Sequence, residues 1–169
     1  MSKTKKSKKM EKVKISGGLL VALGVLLLDQ ISKVFIVWWL GSAPGNIVRV
    51  TGFFNLRLAY NRGISFSMMT SDHHLAQVLI LVMVAVIVGG LVYWLRRESN
   101  PHTRVALWMI IGGAIGNVID RVRIGAVIDF LDFHLYDRHW PTFNVADSAI
   151  FIGAAIIVYW SMKEHARKK

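Results

Sequence analysis

The chain of 169 residues contains no cysteine. Disulfides, thiol nucleophiles and the acylated N-terminal cysteine of a mature lipoprotein are therefore excluded. The six histidines never fall in a His-Glu-x-x-His arrangement, which argues against a zinc peptidase of that kind. Ser32 and Lys33 are adjacent and so cannot face each other on a helix, which argues against a Ser–Lys dyad. Internal repeats are absent. Negative charge is scarce, with ten acidic residues against 21 basic ones. Only three of the acids are glutamates, and all seven others are aspartates, a short stiff side chain suited to a positioned site.

What is abundant is apolar surface. Hydrophobic residues make up 54% of the chain, more than a soluble domain of this size needs. They gather in four stretches, about residues 15–40, 75–95, 105–119 and 148–162. Leu75–Leu95 is 21 residues long with Gln77 its only polar member, enough to cross ~30 Å of hydrocarbon. It carries no ionisable group and is expected to face lipid as support. The expected fold is an all-α membrane protein of four transmembrane helices, with a small extracytoplasmic β-rich loop and a short interfacial helix. The expected domains are a Lys-rich cytoplasmic tail at 1–14, a four-helix membrane domain at 15–162 and a basic cytoplasmic tail at 163–169.

The net charge of +11 would suggest nucleic acid in a soluble protein, but its distribution points to a membrane. Fourteen of the 21 basic residues lie in 1–14, 96–104 and 163–169, segments that four crossings place on one side. By the positive-inside rule that side is the cytoplasm, with both termini in. Trp94 and Trp160 near the inner clusters, and Trp38, Trp39 and Trp140 near the outer ends, fit aromatic belts. The lysine-rich start imitates a signal peptide. However, its apolar run is about 26 residues long and its only small-residue cleavage candidate, Gly41-Ser42-Ala43, precedes Pro44, so a retained helix is expected. The lysine arm itself reads as a disordered topogenic tail.

The outer connections, 41–74 and 121–144, are long. In the first, Phe53–Tyr60 alternates in part and suggests a small strand or hairpin. In the second, Val122–Leu135 is too polar to span and suggests a short interfacial or re-entrant segment, tolerable only when buried in protein or lining a wet cavity.

Depth singles out the aspartates. Asp29 lies 15 residues from Lys14, Asp120 lies 16 from Arg104, and Asp147 lies 16 from Lys163. At ~1.5 Å per residue each is roughly 23 Å from the inner boundary, near the outer surface. A carboxylate in hydrocarbon costs several kcal/mol unless neutralised or paired, so such acids point to function. Asp129 and Asp147 stand out, because two converging carboxyls sharing a proton are the chemistry of aspartic hydrolases. The competing reading is an interfacial Asp129 and a helix-capping Asp147.

Five runs in order, Asp29-Gln-Ile-Ser-Lys33, Asn61-Arg-Gly-Ile-Ser-Phe66, Gly112-Gly-Ala-Ile-Gly-Asn117 with Asp120-Arg121, Val127-Ile-Asp-Phe130 and Phe143-Asn-Val-Ala-Asp147, resemble the lipoprotein signal peptidases (signal peptidase II). The resemblance covers about residues 15–162. It implies an intramembrane aspartic endopeptidase with Asp129 and Asp147 as catalytic dyad. Its implied partners are prolipoproteins carrying diacylglyceryl-cysteine, cut before the lipidated cysteine near the outer face of the bacterial inner membrane. The implied partners also include membrane lipids and no nucleic acid, and the implied enzyme is a monomer without cofactor or metal. Asn117, Asp120 and Arg121 become site-supporting residues, where an interfacial charge cluster is the alternative. Asn144 either orients Asp147 or caps a helix. Asp29 either contacts substrate or neutralises Lys33, four residues on. Asn61 and Gly63 form a substrate-binding turn or a plain one, and Gly112 and Gly116 allow close helix packing. The rival classes are a proton- or cation-coupled carrier using Asp29, Asp120 and Asp147 and a non-catalytic membrane scaffold. The carrier would want ionisable groups along its whole path, yet the inner half of every helix is apolar.

Overall fold

The computed structural model describes residues 2–63 and 73–167, and for 2–16 and 73–74 the backbone alone. Ile64–Phe66, which end one of the motifs, and Lys168 and Lys169 lie outside the described residues. Helix α1 (Ser2–Leu40) is followed by the strands β1 (Ile47–Arg49) and β2 (Phe54–Asn61). Next come α2 (His73–Arg97), α3 (Pro101–Ile124), the strands β3 (Val127–Leu135) and β4 (Arg138–His139), and α4 (Val145–Arg167). All four helices contain a stretch long and apolar enough to cross a membrane. The lysine arm, expected to be a disordered tail, instead continues α1. Lysine, methionine and glutamate are good helix formers, and no glycine or proline interrupts residues 2–16, so the helix of the span propagates outward.

Helix α3 is the hub, packed between α1 and α4 with α2 outside it. Asn100 caps its start, accepting hydrogen bonds from the backbone N–H groups of His102 and Thr103. Gly125 ends it in the left-handed region at φ 70°, donating its N–H to Arg121 O at 3.0 Å. Its glycines set the helix spacing. A Cβ on Gly112 would meet Ala22 O at 2.6 Å, and one on Gly113 would meet Ala146 O at 2.5 Å. Backbones this close are the membrane alternative to a hydrophobic driving force, which lipid does not provide. Gly116 differs from the packing role expected of it. A Cβ there would lie 2.6 Å from Asp29 Oδ2, so its missing side chain makes room for a carboxylate.

No residue in the most apolar stretch of α2 is buried, consistent with support facing lipid. Among the described side chains of α2 only Leu95, near its C-terminal end, is buried, against Leu107 and Ile111 of α3. Near the other end, Gln77 Nε2 donates to Gly125 O at 2.6 Å. At the C-terminal ends of α2 and α4, Arg97 lies 4.4 Å over the Tyr93 ring and Lys163 4.4 Å over Trp160.

The strands form one antiparallel sheet in the order β1-β2-β3-β4. Strand β2 agrees with the alternation read over 53–60. Residues 127–135, where a short interfacial helix was expected, are instead β3. The run Val-Ile-Asp-Phe-Leu-Asp-Phe-His-Leu is β-branched and aromatic, and β2 offers a row of unpaired backbone groups that a helix would leave unmet. The sheet seats on the C-terminal end of α1 through Ile36, Leu40 and Phe130. Phe143 O accepts the N–H groups of Phe130 and Leu131, at 3.0 and 2.8 Å, tying β3 to the start of α4.

Candidate active site

Leu56 pairs with Leu131 and Ala59 with Asp129, leaving two residues of β2 opposite Phe130 alone. This β-bulge lies directly beside Asp129, and a bulge re-aims nearby side chains. Asp129 is 2% exposed. Its Oδ1 accepts Asn144 Nδ2 at 2.7 Å and its Oδ2 accepts Asn61 Nδ2 at 3.0 Å. Burial is the largest influence on this carboxyl and, with Asp147 nearby, lifts its pKa from 3.8 to about 6. The hydrogen bonds from Asn61 and Asn144 and the charge of Lys33 pull the other way and lose.

Asp147 lies in the first turn of α4 and is partly exposed. Its Oδ1 accepts Asn117 Nδ2 at 2.7 Å. Asn117 Oδ1 in turn accepts Asn144 Nδ2 at 3.2 Å, so an asparagine bridge runs between the two aspartates. Asn144 does both things the sequence left open, but with a different partner. Its Oδ1 caps α4 by accepting the Asp147 N–H at 2.9 Å, while its amide holds the side chain of Asp129, not that of Asp147. Asn61 also differs from the expected peptide-binding amide. Its Nδ2 goes to Asp129, and its Oδ1 accepts the N–H of Gly63 at 2.9 Å, where φ of 95° makes glycine the natural residue.

Beneath this pair lies a second, closed cluster. Lys33 Nζ is 2.8 Å from Asp29 Oδ2, 2.7 Å from Asp120 Oδ2 and 3.1 Å from Asn117 Oδ1. Gln30 Nε2 donates to Asp29 Oδ2 and Asp120 Oδ1, both at 3.1 Å. Asp29 Oδ1 accepts the Ala146 N–H at 2.9 Å, placing the carboxylate at the positive end of α4. Asp120 Oδ2 accepts the Ile128 N–H at 3.2 Å. Asp29 is 0% exposed, so it neutralises Lys33 and anchors α4 and has no direct access to a ligand. Arg121 lies near Asp147, Asp129 and Asp120 and donates to Asn117 O at 3.4 Å.

An apolar pocket of about 610 Å³ opens beside Asp147, lined also by Phe133, Trp140, Phe143, Phe151 and Ile152. Three polar contributors were not singled out from sequence. Gln30 sits within the first motif, and Gln77 interrupts the apolar stretch Leu75–Leu95 of a lipid-facing helix. The third is Asp132, fully buried and accepting from His139 Nδ1 at 2.7 Å and Asn55 Nδ2 at 3.1 Å. Burial pushes the Asp132 carboxyl up, but the hydrogen bonds from His139 and Asn55 outweigh it and hold the group below the usual range. Its only sequence signal was an acid within an apolar strand.

A family model described as signal peptidase (SPase) II matches residues 21–163. The chain belongs to the signal peptidase II family. All five motifs fall inside the matched residues. A lipoprotein signal peptidase of Aeromonas hydrophila is 42% identical over 151 residues, covering 88% of this chain and 89% of the relative. One of Rhodopseudomonas palustris (strain TIE-1) is 39% identical, covering 86% and 91%. A bacterial membrane enzyme solved by the in meso method at 2.3 Å superposes with a TM-score of 0.76 at 28% identity, over 92% of this chain and 93% of the other. The protein is thus a multi-pass bacterial membrane protein of a peptidase family. Nothing in these likenesses supports a carrier.

Proposed function

We propose that this protein is an aspartic endopeptidase that removes signal peptides from diacylglyceryl-modified prolipoproteins, cutting before the lipidated cysteine. The observation that carries the reading is the Asp129–Asn144–Asn117–Asp147 bridge. It holds two carboxyls by neutral amides alone, at one end of a membrane bundle, in a chain of the signal peptidase II family. Asp129, buried and with its pKa raised, is the carboxyl of the pair that carries the proton in the reactive form, and it hydrogen-bonds the scissile carbonyl oxygen. Asp147, more exposed, takes a proton from water, whose oxygen attacks the carbonyl carbon. Collapse of the tetrahedral intermediate breaks the C–N bond as the proton now on Asp147 passes to the leaving amine. Asn61, Asn117 and Asn144 orient the pair, Arg121 lends it positive potential, and Asp29 and Asp120 with Lys33 fix α1, α3 and α4 around it. The apolar pocket beside Asp147 suits apolar residues flanking the cut, while the acyl chains remain in lipid. Gly63 sets the turn that presents Asn61.

In this reading residues 15–162 are the membrane peptidase domain of a monomer in the inner membrane. The basic segments 1–14 and 163–169 lie in the cytoplasm, and the dyad lies towards the outer face. Purified protein should cleave a lipobox peptide bearing diacylglyceryl-cysteine and leave the unlipidated peptide intact. Equal cleavage of both would remove the lipid from the substrate definition. Reporter fusions after Arg97 and Lys169 should read cytoplasmic and one near Arg138 external, and inverted signals would overturn the orientation.

A further inference from the structure

A second crevice, also of about 610 Å³, opens on a different face of the molecule, and neither Asp129 nor Asp147 lines it. Its floor is the Lys33–Asp120 pair, already neutralised within the closed cluster. Its rim is cationic: Arg62 follows β2, Arg123 stands in the last turn of α3, and both are exposed. Among the described residues neither arginine makes an ion pair, and the dyad has no use for them. Gln30 and Tyr60 add polar atoms beside them.

The crevice does not end at its polar part. An apolar groove of about 480 Å³ shares Gln30, Val34, Trp38 and Arg123 with it and continues along Ile31 and Phe35 of α1. Trp38 is 74% exposed, Phe35 52% and Ile31 65%, on a helix that crosses the membrane. A cationic crevice opening onto an apolar groove along a membrane-facing helix matches one class of ligand, a phosphate joined to an acyl chain.

We infer that this composite site binds an anionic phospholipid, its phosphate between Arg62 and Arg123 and one acyl chain along Ile31, Phe35 and Trp38. Arginine suits this role because its planar fork pairs two N–H groups with phosphate oxygens. An anionic lipid is favoured over a zwitterionic one, since two exposed guanidinium groups without an ion pair among the described residues gain nothing from a choline beside them. The lipid covers the outer side of the Lys33 cluster and limits water access to it. The inference needs only the membrane setting and is independent of the peptidase reading.

The test is native mass spectrometry of the full chain released from detergent containing phosphatidylglycerol or phosphatidylcholine. The wild type should retain one phosphatidylglycerol at least about fivefold more than phosphatidylcholine. Arg62→Gln and Arg123→Gln should each reduce that retention about fivefold, the effect of one surface arginine on an anionic lipid. The charge-matched pair Arg49→Gln with Arg138→Gln, away from the crevice, should retain it. Trp38→Ala should weaken both lipids alike. Unchanged retention in the Arg62→Gln, Arg123→Gln double variant overturns the site, as does equal loss in the control pair. Equal retention of the two lipids by wild type overturns the anionic preference and with it the inference.

Discussion

Two groups of aspartates sit side by side in this protein and are treated in opposite ways. Asp29 and Asp120 touch the Lys33 ammonium at 2.8 and 2.7 Å and also accept hydrogen bonds from Gln30 and from the N–H groups of Ala146 and Ile128. Among the described residues Asp129 and Asp147 make no ion pair, and asparagine amides hold them. A carboxylate locked to a buried cation is committed to that contact, because breaking it would strand both charges. One held by neutral amides keeps its geometry with its charge uncompensated. The difference separates a neutralised cluster that ties helices together from the pair proposed to react, although the two lie side by side near one end of the bundle.

The largest expected effect is on the amide-held pair. Asp129→Asn and Asp147→Asn should each lower cleavage of a lipidated peptide by about 10³–10⁴-fold. The double variant should be no worse than either single, because groups acting as a unit are non-additive. Near-normal turnover in either variant would erase the distinction between the clusters.

The cation-held pair should instead answer in stability. Lys33→Met strands two buried carboxylates and should cost about 3–5 kcal/mol, read by thermal unfolding in detergent. Adding Asp29→Asn should recover part of that, with Asp120 still unpaired, while turnover stays impaired because α4 has lost its anchor. A Lys33→Met protein as stable as wild type would show that the lysine neutralises nothing.

Next comes the pH dependence of stability. The folded Asp129 titrates at about 6 against 3.8 for the free group, so the native state binds this proton more tightly than the unfolded chain. Stability from this group is full below about pH 4, falls as pH rises to about 6 and stays low above. Removing the charge by Asp129→Asn should therefore stabilise the protein at pH 8 by up to about 3 kcal/mol and make little difference at pH 4. Asp29→Asn should destabilise at pH 8. Melting curves of both variants at pH 4 and 8 test the opposition in sign.

A smaller shift belongs to Asn61. Its hydrogen bond favours the charged form of Asp129, so Asn61→Ala should raise that pKa by about one unit, the worth of a charge-assisted bond. The descending limb of kcat/KM against pH should move up accordingly, and an unmoved limb would remove Asp129 as the proton donor. Smallest of all, Gln77→Ala loses one hydrogen bond to Gly125 and should cost about 1 kcal/mol of stability with turnover intact.

Much of this was legible in the residues. Apolar runs bounded by basic clusters marked four spans, since hydrocarbon forces backbone groups into helices of fixed minimum length. Counting from those clusters put Asp29, Asp120 and Asp147 at one level, and Asp29 and Asp120 share Lys33 while Asn117 joins Asp147 to them. Val127–Leu135 was not legible as strand. A nine-residue apolar run has no decisive period, and its state was settled by pairing with β2, about 70 residues earlier. Capping was one of two roles the sequence left open for Asn144, but its amide partner, Asp129, lies on another element, and spacing along one helix carries no information about that.

Sequence by itself determined that four stretches are long and apolar enough to cross a membrane and which family's motifs the chain carries. These follow from local pattern and the thickness of hydrocarbon. Only the tertiary structure decided which aspartates are neutralised and which are held by amides. That choice depends on whether a carboxyl meets the buried Lys33 at under 3 Å or an asparagine amide instead. Such distances are set by the close packing of α1, α3 and α4 around glycines and by one bulge in a sheet, where elements far apart in the chain meet.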